Sequence, residues 1–251
     1  MSKLSDIVNY CDEYLRIADI GDYDNALNGL QIENDGRVSR IGAAVDVSTR
    51  ALDEAVAKQV DLLIVHHGLF WPGLQPIRGS LRRQIKLAFE NNIALYSVHL
   101  PLDAHPAVGN NAQLARALGF ERLEPFLEVK GQPIGLRASV LLPVTEIVQR
   151  LEKALAGNVQ KFLHGPEQSK NVALVTGGAG GEAYAVARDG IDTFITGEAP
   201  HSAAVAAQEL GMNLLLGGHY ATETFGVKAL SAHLSEKFGL SWEFIDCPTG
   251  L

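Results

Sequence analysis

Short apolar runs alternate with amphipathic stretches along almost all of this 251-residue chain, and that alternation limits the folds open to it. A run of about four to eight apolar residues bounded by polar turns reads as a strand buried on both faces, and the periodic stretch after it as the helix that covers it. Residues 41–46 (IGAAVD), 61–67 (DLLIVHH) and 93–99 (IALYSVH) read as strands. Ser48 is placed to cap the helix after the first of them, and residues 81–91 form the helix before the third. Residues 110–118 form a helix that Gly119 would stop. The alternation resumes with strands at 131–143, 171–178 (NVALVTGG), 191–197 (IDTFITG), 212–219 (MNLLLGGH) and 241–246 (SWEFID). The intervening helices fall at 145–156, 181–189, 201–210 and 222–238. Such a chain predicts an α/β fold of βαβ units, with mainly parallel sheets flanked by helices.

The pattern runs twice. A strand ending in Asp46 is followed by DLLIVHHG and then IALYSVHLPLD; a strand ending in Gly178 is followed by IDTFITGE and then NLLLGGHYATE. Two pseudo-duplicated lobes are expected, one of residues 1–126 completed by 220–251, the other of residues 127–219. No stretch approaches the ~18 uncharged apolar residues of a membrane span. The N-terminal residues carry Asp6, Asp12 and Glu13 through an amphipathic helix, which is not the pattern of a signal peptide. Acidic side chains outnumber basic ones, 29 to 21, and no basic run exceeds Arg82-Arg83, so a nucleic-acid duplex is not an expected partner. The two cysteines, Cys11 and Cys247, form no CxxC pair, which favours a reducing compartment and a cytoplasmic location.

In a parallel sheet, functional side chains gather beyond the carboxyl ends of the strands. His66, His67, His99 and His219 all lie there. Asp103 follows His99 by four residues and Glu223 follows His219 by four, so HxxxD and HxxxE occupy matched places in the two halves. Adjacent residues on a strand point to opposite faces. His66 and His67 are therefore expected to serve two ions on either side of the strand end, not to chelate one. The ions of a two-metal site stand ~3.5–4 Å apart, near enough for a carboxylate to bridge them. Glu223, in the first turn of its helix, is the candidate bridge. His66, His67, His99, Asp103, His219 and Glu223 thus form a candidate ligand set for two divalent ions. Imidazole and carboxylate without thiolate suit Zn, Fe, Mn, Co or Ni.

Each residue also has a plainer reading. His66-His67 could be a solvent-facing pair, His99 a hydrogen-bonded core histidine, Asp103 a turn carboxylate between Pro101 and Pro106, and Glu223 a helix N-terminal charge. Their coincidence at strand ends favours ligands. Asp46 is placed to accept a ligand N–H. His105, in a Pro-flanked loop, and His201 with Glu198 are candidate neighbours of the site, while His164 and His233 read as surface. The glycines of TGGAGGE lack both the Lys-Ser/Thr ending of a P-loop and the GxGxxG spacing, and read as tight turns.

NGLQI (28–32), DLLIVHHGLFW (61–71), YSVHLPLDAHPAVGNN (96–111), TGE (196–198) and GGHYATE (217–223) together resemble the Ngg-one-interacting-factor-three-like family, whose members are often labelled GTP cyclohydrolase one type two homologues. The resemblance covers nearly the whole chain. It implies a two-lobed α/β subunit with a dinuclear metal site in the cleft between lobes, and a homohexameric toroid with the sites facing an interior cavity. The family's ligands would fall on His66, His67, Asp103, His219 and Glu223, with His99 close by. Three functions are open on this basis. One is a metal-dependent hydrolase acting on a small phosphate-containing substrate such as GTP, with His105 or Glu198 moving the proton. The others are a metal carrier or insertion factor, and a scaffold stabilised by metals.

Overall fold

A computed structural model describes all 251 residues. The chain divides into two compact units, residues 1–109 with 226–247, and residues 110–225 with 248–251. In chain order, residues 1–109 form β1 (Ser2–Lys3), α1 (Leu4–Tyr14), β2 (Gly29–Ile32), β3 (Arg37–Val38), β4 (Arg40–Asp46), α2 (Thr49–Ala57), β5 (Leu62–His67), α3 (Gly79–Glu90), β6 (Ala94–Ser97) and the single turn α4 (Leu100–Asp103). There follow α5 (Asn110–Ala117), β7 (Glu124–Val129), β8 (Gln132–Pro143), α6 (Val144–Leu155), β9 (Gln160–Leu163), β10 (Gln168–Val175), α7 (Ala183–Arg188), β11 (Thr193–Thr196), α8 (His201–Leu210) and β12 (Asn213–Leu216). The chain ends with α9 (His219–Phe238) and β13 (Ser241–Phe244). No helix is long and apolar enough to cross a membrane.

The sheet of the first unit has the order β13-β4-β5-β6-β2, parallel except for β2. Its strands are apolar on both faces because both faces are covered. Along β5, Leu62 and Ile64 pack with Leu4 and Ile7 of α1 and with Val227 and Leu230 of α9. Leu63 and Val65 pack on the other side with Leu52 and Ala55 of α2 and Ala88 of α3. The period of two thus feeds two cores, and each fully buried Leu or Ile stabilises the fold by about 1.5–3 kcal/mol. The Ser48 hydroxyl accepts from Ala51 N at 3.0 Å, the cap its position anticipates.

The second unit carries a six-stranded sheet, β7-β8-β10-β11-β12-β9. Here the expectation of a mainly parallel sheet fails. Only β10-β11 and β11-β12 run parallel; β7-β8, β8-β10 and β12-β9 are antiparallel. The reason is local. Lys130 and Gly131, at φ 53° and 81°, make a two-residue turn of the kind that joins antiparallel strands, so β7 returns directly into β8. One core packs α5 and α6 (Leu114, Ile147, Leu151) on the sheet, and the other packs α7 and α8 (Val186, Ala203, Ala207).

Candidate metal centre

The first unit gathers three imidazoles at the carboxyl end of its parallel strands. His66 and His67 close β5, and His99 stands just past β6 at the start of α4. One ring nitrogen from each lies within 4.8 Å of the others, and all three side chains are buried. The expectation that His66 and His67 point apart is corrected here, since their ring centroids are 4.7 Å apart. The β5–β6 ladder ends at Val65–Ser97, one residue before the pair. Beyond that point each ring turns over the strand end toward its own acceptor. His66 Nδ1 donates to Val98 O at 2.9 Å, and His67 Nδ1 donates to Asp46 Oδ1 at 2.9 Å. Asp103 Oδ2 lies 3.5 Å from His66 Nε2.

His99 is held by a residue that the strand-end pattern does not reveal. Its Nδ1 donates to Asp22 Oδ1 at 2.8 Å, and its backbone N–H donates to Asn28 Oδ1 at 2.8 Å. Burial works to raise the Asp22 pKa, but the hydrogen bond and charge of His99, with Asn28 and the Tyr23 N–H, outweigh it and hold the carboxyl below its ordinary value. The Trp71 ring packs 4.4 Å from His99 and 4.8 Å from His67, measured between centroids.

The second unit supplies a pair. Helix α9 begins at His219, not at residue 222, so Glu223 lies one turn on and not in the first turn. Residues i and i+4 share a helix face, and His219 Nε2 stands 3.1 Å from Glu223 Oε1. His219 Nδ1 is 2.9 Å from Glu198 Oε1. The Glu223 hydrogen bond, against some desolvation and with help from Glu198, pushes the His219 pKa up to about 9. Gly177 makes room for this pair: at φ 72° it lies two residues past β10, and a Cβ there would collide with Glu223 Oε1.

His219 thus has a carboxylate at each ring nitrogen and would take a metal only on losing its Nε2 proton, whereas the three histidines of the first unit share a simpler arrangement at Nδ1. A carbonyl or an ionised carboxylate can only accept, so each Nδ1 that faces one carries the proton. In the neutral ring Nε2 then keeps its lone pair, which is the form a metal binds. The donor set therefore fits divalent ions, with imidazole and carboxylate and no thiolate. Cys11 is buried in the core against α9, and its thiol is pushed up by burial. Other expected neighbours are placed elsewhere. His105 Nε2 donates to Tyr14 O of α1, and its Nδ1 accepts the N–H groups of Ala107 and Val108, so both ring nitrogens are engaged in holding the loop. His233 is not a surface residue but is half-buried, stacked on Tyr14 and 2.6 Å from the Tyr10 hydroxyl. His164 and His201 are exposed.

The family model of DUF34/NIF3 (NGG1p interacting factor 3) matches residues 2–249. The chain belongs to this family. Among DUF34/NIF3-related sequences, it is 41% identical over 250 residues to a Deinococcus radiodurans protein named GTP cyclohydrolase 1 type 2 homolog, covering 98% of this chain and 94% of the relative. A Pyrococcus abyssi protein of the same name is 43% identical over 249 residues, with 98% of each covered. The crystal structure of TTHA1606 from Thermus thermophilus superposes with a TM-score of 0.90 at 42% identity, covering 99% of this chain and 100% of that one. The α/β architecture of mixed sheets and helices is thus that of a solved relative.

Proposed function

We propose that this chain binds two divalent transition-metal ions through His66, His67, His99, Asp103, His219 and Glu223, and hydrolyses a nucleotide or another small phosphate-containing molecule. The observation that carries the reading is the Nδ1 anchoring: four imidazoles, drawn from three strand ends, each place Nδ1 against an acceptor, which assigns metal ligation to Nε2, in His219 after loss of the Nε2 proton. Bound ions supply Lewis acidity, which brings the pKa of water from 15.7 toward 7 and makes hydrolysis accessible at neutral pH. Asp46, Asp22 and Glu198 hold the Nδ1 protons, and Asp103 and Glu223 add negative charge beside His66 and His219. Glu198 is about half exposed, which leaves it in contact with solvent and able to pass a proton. The substrate class rests on the name the relatives carry, GTP cyclohydrolase 1 type 2 homolog. The same reading takes the two units as duplicated lobes and the assembled protein as a cytoplasmic homohexameric toroid.

Elemental analysis of purified wild type beside His67→Ala and Glu223→Ala is the test. About two transition-metal ions per chain in wild type, lost in both folded variants, is the expected result for a two-metal site. Unchanged metal in both variants would overturn the ligand assignment. With metal established, release of product from GTP and related nucleotides by the loaded protein supports the hydrolase. Readily exchanged metal with no turnover returns the carrier. Light scattering checks the toroid, which a monomer would remove.

A further inference from the structure

The loop between α1 and β2 makes contacts that exceed what a connection needs. Asp22 is buried, with 7% of its side chain exposed, and is ringed by hydrogen-bond donors. Its Oδ1 accepts from His99 Nδ1 at 2.8 Å and from Tyr23 N at 2.7 Å. Its Oδ2 accepts from Leu100 N at 2.9 Å and from Asn28 Nδ2 at 2.8 Å. Asn28 Oδ1 closes the circuit by accepting the His99 N–H. The ring and the backbone of His99 are therefore both gripped by one loop, 71 to 77 residues away in the chain.

All four neighbours of the Asp22 carboxylate donate. Only a group that accepts on both oxygens satisfies them. An amide of the same shape would set its NH2 against two donors whichever way it turned, and leaving such a buried group unsatisfied is costly. The need for negative charge, and not only for shape, marks this as more than a loop staple. We propose that Asp22, braced by Asn28, is a positioning residue for the metal centre: it fixes His99 as the Nδ1–H tautomer and aims its Nε2 at the group formed with His66 and His67. This inference rests on the metal-binding reading above and assigns the N-terminal loop a part in it.

The test uses the full chain and has two readouts. In metal-free protein, 15N NMR of the histidine rings reports the His99 tautomer, with His99→Gln to assign the signal. Nδ1–H is expected in wild type and its loss in Asp22→Asn. In parallel, zinc affinity is measured by competition with a chelator. Asp22→Asn is expected to weaken it 10–100-fold, the usual effect of removing such a partner. Asn28→Ala, which leaves the His99–Asp22 bond in place, is expected to weaken it less and to keep the tautomer. Should Asp22→Asn fail to fold, the wild-type tautomer together with Asn28→Ala still decides. An Nε2–H tautomer in wild type overturns the proposal, as does unchanged zinc affinity in a folded Asp22→Asn. A wild type that takes up no metal would instead overturn the metal-binding reading, and the tautomer result would show separately whether Asp22 sets the ring.

Discussion

The two units carry the same motif spacing and use it differently. In the second, HxxxE lies on one continuous helix, so His219 and Glu223 face each other one turn apart at 3.1 Å. In the first, HxxxD spans the entry to a single turn of helix, with His99 as its N-cap and Pro101 inside it. There His99 is anchored by Asp22, while Asp103 stands 3.5 Å from His66. The strand ends differ as well. β4 ends in Asp46, whose carboxylate anchors His67; β10 runs out into Gly177, whose missing side chain admits Glu223. Yet the connectivity is shared. In each unit a helix is followed by an antiparallel strand that pairs with the last of three consecutive parallel strands (α1, β2 and β4-β5-β6; α6, β9 and β10-β11-β12). Topology is set by apolar periodicity, which tolerates many substitutions. A polar site depends on single atoms, so equal spacing in sequence does not secure equal geometry.

The largest effect is expected at Gly177. Gly177→Ala puts a side chain where the Glu223 carboxylate sits and asks a non-glycine residue to hold φ 72°. Backbone strain alone is worth about 1–3 kcal/mol, and displacement of Glu223 should reduce metal retention besides. Denaturant unfolding and metal analysis of the same preparation measure both. A variant with wild-type stability and metal content would show that the glycine serves no such purpose. The matching change in the first unit is Asp46→Ala. Asp46 is partly exposed, so folding should change little, while loss of the His67 anchor should weaken metal affinity about 10–100-fold. If stability fell and affinity did not, the two strand ends would not divide their roles as described.

Much of this was legible in the chain itself. The parallel strands of the first unit, the longer helices and the four strand-end histidines follow from apolar runs and their boundaries, and Ser48 announces its own helix. What was not legible depended on contacts distant in sequence or on weak strand signals. β2 (GLQI) and β9 (QKFL) are short edge strands with little apolar alternation, and β7 is recognisable mainly through its Lys130-Gly131 turn. The convergence of His66 and His67 departs from the pleat because their acceptors, Val98 O and Asp46, lie on neighbouring segments. Asp22 sits in an acidic, turn-rich loop (GDYDNALNG) where nothing in the local pattern separates it from Asp24. Only the fold brings it to His99.

A smaller effect should separate the units by pH. In metal-free protein the His219 pKa stands near 9, raised by Glu223 and Glu198. A folded pKa above the unfolded value contributes stability that is fully present below the unfolded pKa, about 6.5 for histidine, and is lost as pH rises through the folded value. The stability cost of His219→Gln should therefore be larger at pH 6 than at pH 10, measured by denaturant unfolding after metal removal. Equal costs would mean that the imidazole is not charged between its two carboxylates.

The smallest change is a control on the scaffold of the first unit. Ser48 caps α2 through Ala51 N, one residue beyond the Asp46–Val47 strand end. Ser48→Ala removes the cap and should cost about 1 kcal/mol of stability. The cap neither touches nor orients an imidazole, so metal affinity should hold even as the midpoint of unfolding falls. If affinity fell with it, Asp46 would owe its position to the start of α2 and not to β4. Because β4 pairs with β5 through Asp46 and His67 themselves, the ladder is expected to keep that carboxylate in place without the cap.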